Sequence, residues 1–197
     1  MSISYTELYE FVKGRLKPSR FEHSVGVAET AYAIAARFSL NAYAARYVGI
    51  YHDAYRYDAD GSTAAMLLKS GMSLCKEEIE NPMLLHGPLA AFMMRRNCGE
   101  DVPDPYLLAV RHHTLGSKDM GQLGAVLYIA DYIEPGRRHL TADERRRIMD
   151  NETLEDMVLC IMDMQAAYFR SNGIRSAEVS DELYSFLIAG GRFQDLK

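Results

Sequence analysis

Cysteine is scarce in this chain and follows no metal-binding or redox pattern. Only three cysteines occur among 197 residues, at Cys75, Cys98 and Cys160. The absence of a C-x-x-C pair excludes a zinc ribbon and a thioredoxin-type motif. Three reduced thiols are typical of a cytoplasmic protein, and a chain of this length buries a core large enough to fold without disulfides.

Long apolar runs and an excess of positive charge are also missing. The first residues carry acids and no continuous apolar run, so no signal peptide is expected, and no stretch is long enough to span a bilayer. The net charge of -5 argues against non-specific binding of nucleic acid along a basic face. We therefore expect a cytoplasmic protein that binds neither membrane nor nucleic acid. Short runs such as Arg95-Arg96 and Arg137-Arg138 are more often solvated helix faces, although they would suit a phosphorylated substrate.

Period-two alternation is absent, whereas helical periodicity runs from end to end. The second helix is expected to open at Pro18-Ser19 with Ser19 as N-cap, and the third to begin after Asn41 and end near Tyr57. The spacing of apolar residues predicts helices over about 6–16, 19–38, 42–57, 64–69, 84–96, 106–114, 122–133, 141–150, 153–171 and 177–189. These elements and their short connections predict an all-α, compact helical bundle.

Histidines and buried acids carry the functional signal. A single histidine on a helix is more often a packing or surface residue than a ligand, but here four or five histidines lie on different helices. Asp53 and Asp131 lie in apolar helical contexts, where an ionised carboxylate needs a cationic partner. For Asp131 alone, a structural ion pair is the simpler interpretation. The six histidines are His23, His52, His86, His112, His113 and His139.

The types of donor restrict which metal ions would suit the site. Imidazoles and carboxylates without thiolates suit iron, manganese, zinc or nickel better than calcium or an iron–sulfur cluster. Four histidines and two aspartates are too many ligands for one structural ion and enough for two ions with open positions. An aspartate has two oxygens and can bridge two ions, so the adjacent pair His52-Asp53 is the expected centre.

The same residues resemble a known family. His23, His52-Asp53 and Asp131 match the H…HD…D signature of the HD-domain phosphohydrolases. The segments RFEHSVGVAETA, LLHGPLAA, HHTLG and YIADYIEPGR resemble the YqeK-type branch, the bacterial symmetrical bis(5′-nucleosyl)-tetraphosphatases. The resemblance implies a single HD domain over residues 1–197, with a metal-binding core at about 18–138 and supporting C-terminal helices at about 139–197.

The resemblance also implies roles for individual residues. One metal would be held by His23, His52, Asp53 and Asp131. Asp53 would bridge to a second metal, which His86 and His113 complete, and both ions are expected to be iron. His113 is preferred to His112 because the ligand histidine directly precedes threonine in the family's H-T-x-G pattern. His112 is then expected to pack or to support a ligand, and His139 to be exposed.

Several cations are candidates for binding substrate phosphates. Asp53 and Arg56 are the residues expected to take part in catalysis, and Arg56 stands where the family commonly has lysine in H-D-x-x-K. Arginine keeps the charge and adds a planar fork suited to phosphate. Surface charge is the alternative interpretation for each candidate. The candidates are Arg20, Arg56, Lys118, Arg137 and Arg138.

The expected activity is symmetrical hydrolysis of a dinucleoside tetraphosphate such as diadenosine tetraphosphate by a water molecule that the metals activate. The alternatives are an HD-type nucleotidase or phosphohydrolase with another nucleotide substrate, and a non-catalytic nucleotide-binding regulatory module. A degenerate module usually loses ligands, whereas every expected ligand is present here. A homodimer through the C-terminal helices is left open.

Overall fold

The computed structural model describes residues 3–138 and 140–195, and within them every regular element is helical. The prediction of an all-α fold is confirmed. A 3-10 turn, Pro82–Leu85, separates two of the helices. The α-helices are α1 (Tyr5–Arg15), α2 (Pro18–Arg37), α3 (Ala42–Tyr51), α4 (Thr63–Lys69), α5 (Lys76–Glu80), α6 (His86–Cys98), α7 (Asp104–His112), α8 (Gly121–Ile133), α9 (Ala142–Met149), α10 (Leu154–Asn172) and α11 (Glu178–Ile188).

Helix α8 lies at the centre of the fold because it is apolar on all sides. Its residues from Gly124 to Ala130 are all buried, and it packs against α2, α3, α7 and α10. Helices α9 and α11 pack in turn against α10. The core residues of α11, Leu183 and Leu187, belong to the same apolar cluster as Val27 of α2. The C-terminal helices therefore extend one core and do not form a second one.

Helices α2 and α3 cross at very short distance because the contact is made by small residues. A Cβ placed on Gly49 of α3 would lie 2.7 Å from Ala28 Cα of α2. Ala28 and Ala45 are fully buried at this crossing. The close approach holds His23 of α2 beside the end of α3.

The start of α2 differs from the sequence-based expectation, whereas the cap of α3 agrees with it. Helix α2 starts at Pro18 with Lys17 as N-cap and without a side-chain capping bond, so the prediction that Ser19 is the N-cap is wrong. Pro18 fixes its own φ in the helical range and thereby starts the helix. The expected Asn41 cap of α3 is present, since its side chain accepts from Ala44 N at 3.0 Å.

The expected end of α3 near Tyr57 is also wrong. The helix ends at Tyr51, and residues 52–58 continue as successive turns with Ala54 N donating to Tyr51 O and Arg56 N donating to Asp53 O, both at 2.8 Å. Ala54 and Tyr55 are buried, so the apolar pattern runs past the end of the helix. His52 and Asp53 consequently lie at a helix terminus and not within a helix.

No helix in the described residues is long and apolar enough to cross a membrane.

The α2–α3 crossing predicts opposite outcomes for two glycine substitutions. Gly49→Ala is expected to lower the free energy of unfolding by about 1–3 kcal/mol, because the new methyl group meets backbone that cannot move aside. Gly14→Ala, on the exposed face of α1 with nothing within 4 Å, is the control and is expected to raise it by about 0.5–1 kcal/mol. Denaturant unfolding measures both values, and an unchanged Gly49→Ala protein would contradict the tight crossing.

Candidate metal centre

Five helices bring the predicted ligand residues together in one cluster. Three of the residues lie at helix ends, one lies just beyond a helix, and two lie within helices. They are His52 at the end of α3, Asp53 after it, His86 at the start of α6, His113 at the end of α7, His23 in α2 and Asp131 in α8.

Asp53 lies at the centre of this cluster, and its two carboxylate oxygens face different histidines. Oδ1 lies 3.3 Å from His86 Nε2 and 4.0 Å from His113 Nε2. Oδ2 lies 3.2 Å from His52 Nε2 and 3.8 Å from His23 Nε2. Each oxygen of the fully buried carboxylate therefore faces its own pair of histidines.

Asp131 completes the side of the cluster that contains His23 and His52. Its Oδ1 lies 3.0 Å from His23 Nε2 and 3.8 Å from His52 Nε2. The Asp131 side chain is 18% exposed, whereas that of Asp53 is 0% exposed. The cluster is thus open to solvent beside Asp131, which is only partly buried.

Hydrogen bonds to the far ring nitrogens determine the orientation of the histidines. His52 Nδ1 donates to Gly49 O at 2.7 Å, and His113 Nδ1 donates to Val110 O at 2.8 Å. Both carbonyls belong to the last turn of a helix, where no backbone N–H of the helix satisfies them. His86 Nδ1 likewise donates to a backbone carbonyl three residues earlier. With the proton on Nδ1, each Nε2 has the lone pair that a metal would need.

The donor set fits a bound metal. His23 Nε2, His52 Nε2 and both oxygens of Asp53 are buried and make no hydrogen bond of acceptable geometry within the described residues. Buried polar atoms that lack a hydrogen bond are costly, and a metal ion among them would satisfy all four, of which only Asp53 Oδ2 already pairs with a cation, Arg20. Potential ligand atoms of His23, His52 and Asp131 lie within 4.8 Å of one another, as do those of His52, Asp53 and His113. HD domains are metal-dependent, and this cluster is where a metal would bind.

The electrostatics keep both carboxylates and His113 in their metal-binding protonation states. Burial alone would raise the pKa of Asp53, but the nearby His52 and His86 rings and the Arg20 guanidinium hold it well below its usual value. Burial would also raise the pKa of Asp131, but the His23 and His52 rings and the Arg137 guanidinium together hold it well below its usual value. Burial lowers the pKa of His113 to about 3. Both carboxylates are therefore ionised and His113 is neutral at neutral pH.

Three of the five candidate phosphate-binding residues line this cluster. The Arg20 guanidinium is in direct contact with Asp53 Oδ2, and that of Arg137 with Asp131 Oδ1. Arg56 Nη1 lies 3.0 Å from His86 Nε2. The guanidinium groups approach from both sides of the centre.

The other candidates lie apart from these contacts. Lys118 pairs with Glu182 of α11 at 3.4 Å, and Arg138 is exposed. His112 is half-buried, and burial lowers its pKa to about 4. His139 lies outside the described residues.

Glu134 is a functional candidate that the sequence interpretation missed. It is 3% exposed, and its Oε1 accepts from His23 Nδ1 at 3.0 Å. Its Oε2 accepts from Gly136 N at 2.5 Å. A Cβ on Gly26 would lie 2.6 Å from that same oxygen, so only glycine leaves room for this carboxylate. Glu134 therefore positions His23, and the EPG segment after an apolar helix was the available signal.

Two further residues that the sequence did not suggest support the site. Thr114 Oγ1 lies 3.2 Å from His113 Nε2 at the edge of the cluster. Arg145 donates to Ile133 O at 3.0 Å and to Leu140 O at 2.9 Å, and it also contacts Arg137 O. Arg145 thereby fixes the loop that carries Arg137.

The fold and the cluster agree with a sequence family. Residues 20–136 match the family described as HD domain, and the chain belongs to that family. This match confirms the family resemblance seen in the H…HD…D signature.

Named relatives cover most of the chain. It is 30% identical over 164 residues to a protein of Bacillus subtilis (strain 168) named bis(5′-nucleosyl)-tetraphosphatase, symmetrical, and the match covers 82% of this chain and 86% of that protein. A protein of Halalkalibacterium halodurans with the same name is 33% identical over 129 residues, covering 66% and 68%. A crystal structure from Clostridium acetobutylicum is 30% identical with a TM-score of 0.85, covering 96% of this chain and 100% of that one. That structure is described as a predicted HD superfamily hydrolase involved in NAD metabolism.

The central position of Asp53 predicts loss of metal on its removal. Asp53→Ala is expected to retain at most a small fraction of the metal bound by the parent protein, because both histidine pairs lose their shared carboxylate. Elemental analysis of protein purified with iron or manganese measures this loss. Asp58→Ala removes an exposed aspartate that pairs with Arg15 and is expected to keep the full metal content. Equal metal in the two variants would contradict a central role for Asp53.

The two bonds of Glu134 predict a graded effect on metal affinity. In Glu134→Gln the amide has a single oxygen, so either His23 or Gly136 would face an NH2 group in place of an acceptor. We expect the metal affinity to fall about 10- to 100-fold, as for other residues that orient a ligand. Competition against a chelator measures the affinity, and Glu152→Gln at an exposed position is the control. An unchanged affinity in Glu134→Gln would show that His23 needs no such support.

Proposed function

We propose that this protein hydrolyses dinucleoside tetraphosphates symmetrically and releases two nucleoside diphosphates. The observation that carries the proposal is the placement of the Asp53 carboxylate between two histidine pairs, with one oxygen toward each pair. The relatives named as symmetrical bis(5′-nucleosyl)-tetraphosphatases support this choice of substrate, since they cover most of the chain.

The overall reaction consumes one water molecule. For diadenosine tetraphosphate, the water oxygen bonds to one of the two inner phosphorus atoms. The bond from that phosphorus to the central bridging oxygen breaks, and the bridging oxygen leaves with the second half. One proton of water is released or passes to this leaving oxygen. Two molecules of ADP result, and no side-chain nucleophile is consumed.

The ligands suit two ions that share Asp53. His23, His52 and Asp131 would hold one ion and His86 and His113 the other. Iron is the expected metal, and manganese, zinc or nickel also suit these donors. When bound, such ions lower the pKa of a coordinated water and neutralise charge on phosphoryl oxygens.

The protein's own cations would bind the phosphate chain. Arg20, Arg56 and Arg137 surround the cluster, and their planar guanidinium groups can each donate two parallel hydrogen bonds to a phosphate. Their charge would be shared between the carboxylates of the site and the phosphates of the substrate. Asp53 and Arg56 are the residues for which we propose the most direct part in the reaction.

A different nucleotide substrate is the second candidate. The Clostridium acetobutylicum relative is described as involved in NAD metabolism, and NAD also joins two nucleosides through phosphates. Hydrolysis of its pyrophosphate would give AMP and nicotinamide mononucleotide. NAD is therefore the informative comparison substrate.

The proposal predicts a single product from diadenosine tetraphosphate. Protein supplied with iron or manganese is expected to yield only ADP, separated by anion-exchange chromatography. In water enriched in 18O, one ADP of each pair is expected to carry one 18O on its terminal phosphate. ATP with AMP, or the absence of hydrolysis, would defeat the proposal. Faster cleavage of NAD under the same conditions would favour the second candidate.

A further inference from the structure

A cavity of about 690 Å3 lies between the C-terminal helices and the metal-binding core. One face of α10 forms a wall, with Met162, Ala166 and Phe169 at helical spacing. Tyr184 of α11 and Leu84 of the 3-10 turn line the cavity as well. The C-terminal helices, which were expected only to support the core, therefore also line a cavity.

This cavity adjoins a smaller one at the metal centre. A smaller cavity of about 180 Å3 is lined by His113, Asp131 and Arg137. Thr114, Tyr128 and Gln165 line both cavities.

The junction between the two cavities is held in place by protein contacts. Tyr128 donates from its hydroxyl to Gln165 Oε1 at 2.8 Å, and Tyr128 is itself buried. A ligand whose phosphates lie at the metal centre would reach the larger space by passing Thr114 and the Tyr128–Gln165 pair.

The lining suits a flat ring with a polar edge. Phe169 and Tyr184 offer aromatic surface, and Leu84 and Met162 add apolar contact. Asp163, which accepts from the Tyr184 hydroxyl at 3.0 Å, can also accept from the N–H groups of a base. The volume lies within the usual range of about 300–1,000 Å3 for sites that bind molecules of nucleoside size.

From these observations we infer that the larger cavity binds one nucleoside of the substrate and that its α10 wall contributes to specificity. The inference rests on the proposed function, because that reaction requires the scissile bond in the middle of a four-phosphate chain. Each nucleoside then lies two phosphates away from the metal centre. The larger cavity shares lining residues with the small cavity at the centre, so it would take one of the two nucleosides.

Another cavity does not meet these requirements. It has a volume of about 280 Å3 and lies between the start of α3 and the start of α8, with Tyr106 and Met120 in its lining. It shares no lining residue with the small cavity at the metal centre.

Adjacent alanines of α10 provide a matched test. Ala166 lines the cavity, whereas Ala167 is exposed and does not. Ala166→Phe fills the space and is expected to weaken ADP binding to the metal-loaded protein at least tenfold in isothermal titration calorimetry. Binding of inorganic tripolyphosphate, which has no nucleoside, is expected to stay unchanged. Ala167→Phe should match the parent protein for both ligands.

A second pair of variants tests the cavity without adding bulk, in case Ala166→Phe does not fold. Phe169→Ala removes aromatic surface from the cavity, and Tyr168→Ala removes an aromatic side chain that is 60% exposed. Only the first is expected to weaken ADP binding, by severalfold. Equal ADP affinity in both matched pairs, or equal loss of ADP and tripolyphosphate binding, would overturn the inference.

Steady-state kinetics separate this inference from the proposed function. For diadenosine tetraphosphate, Ala166→Phe is expected to raise KM at least tenfold relative to Ala167→Phe. A parent protein that leaves this substrate intact but binds ADP in an Ala166-dependent manner would refute the proposed reaction and retain the nucleoside site. A parent protein that cleaves it with the same KM in both variants would refute the nucleoside site alone.

Discussion

The buried carboxylate of Asp53 is the constraint on which the rest of the centre depends. An ionised group removed from water is tolerated only where cations or hydrogen bonds compensate it. The surrounding helices provide His52, His86 and Arg20 within reach of the two oxygens. Several ligands lie at helix ends, where backbone carbonyls left unpaired by the helix orient the imidazoles. The unpaired carbonyls at the end of a helix thus orient an imidazole for metal binding.

Most of the fold could be predicted from apolar periodicity, and the departures have physical causes. The pattern ran past the end of α3 because Ala54 and Tyr55 remain buried in the turns that follow. Helix α5 was missed since it is short and polar, and its one buried residue is held by a distant partner. That residue, Glu78, accepts from Arg111 Nη2 at 2.8 Å. A contact between residues 33 positions apart leaves no local signal.

The parts of the candidate site that depend on residues close together in the sequence could be predicted. Neighbouring residues such as His52 and Asp53, and an acid in an apolar helix such as Asp131, stand out in the sequence. Glu134 does not, because its role depends on His23, which lies 111 residues earlier. Distances between helices also decide which cations reach the centre. Lys118 belongs to the same stretch of chain as His113 but turns toward Glu182 of α11.

The origin of the ligands in five helices, from residue 23 to residue 131, links metal uptake to the completion of folding. No short segment of the chain contains the whole donor set, so the site exists only after α2, α3, α6, α7 and α8 have docked. An ion that binds the native state and not the unfolded chain stabilises it by mass action, by about 2.7 kcal/mol at a hundredfold excess over its dissociation constant. Bound metal would then also stabilise the folded helical bundle.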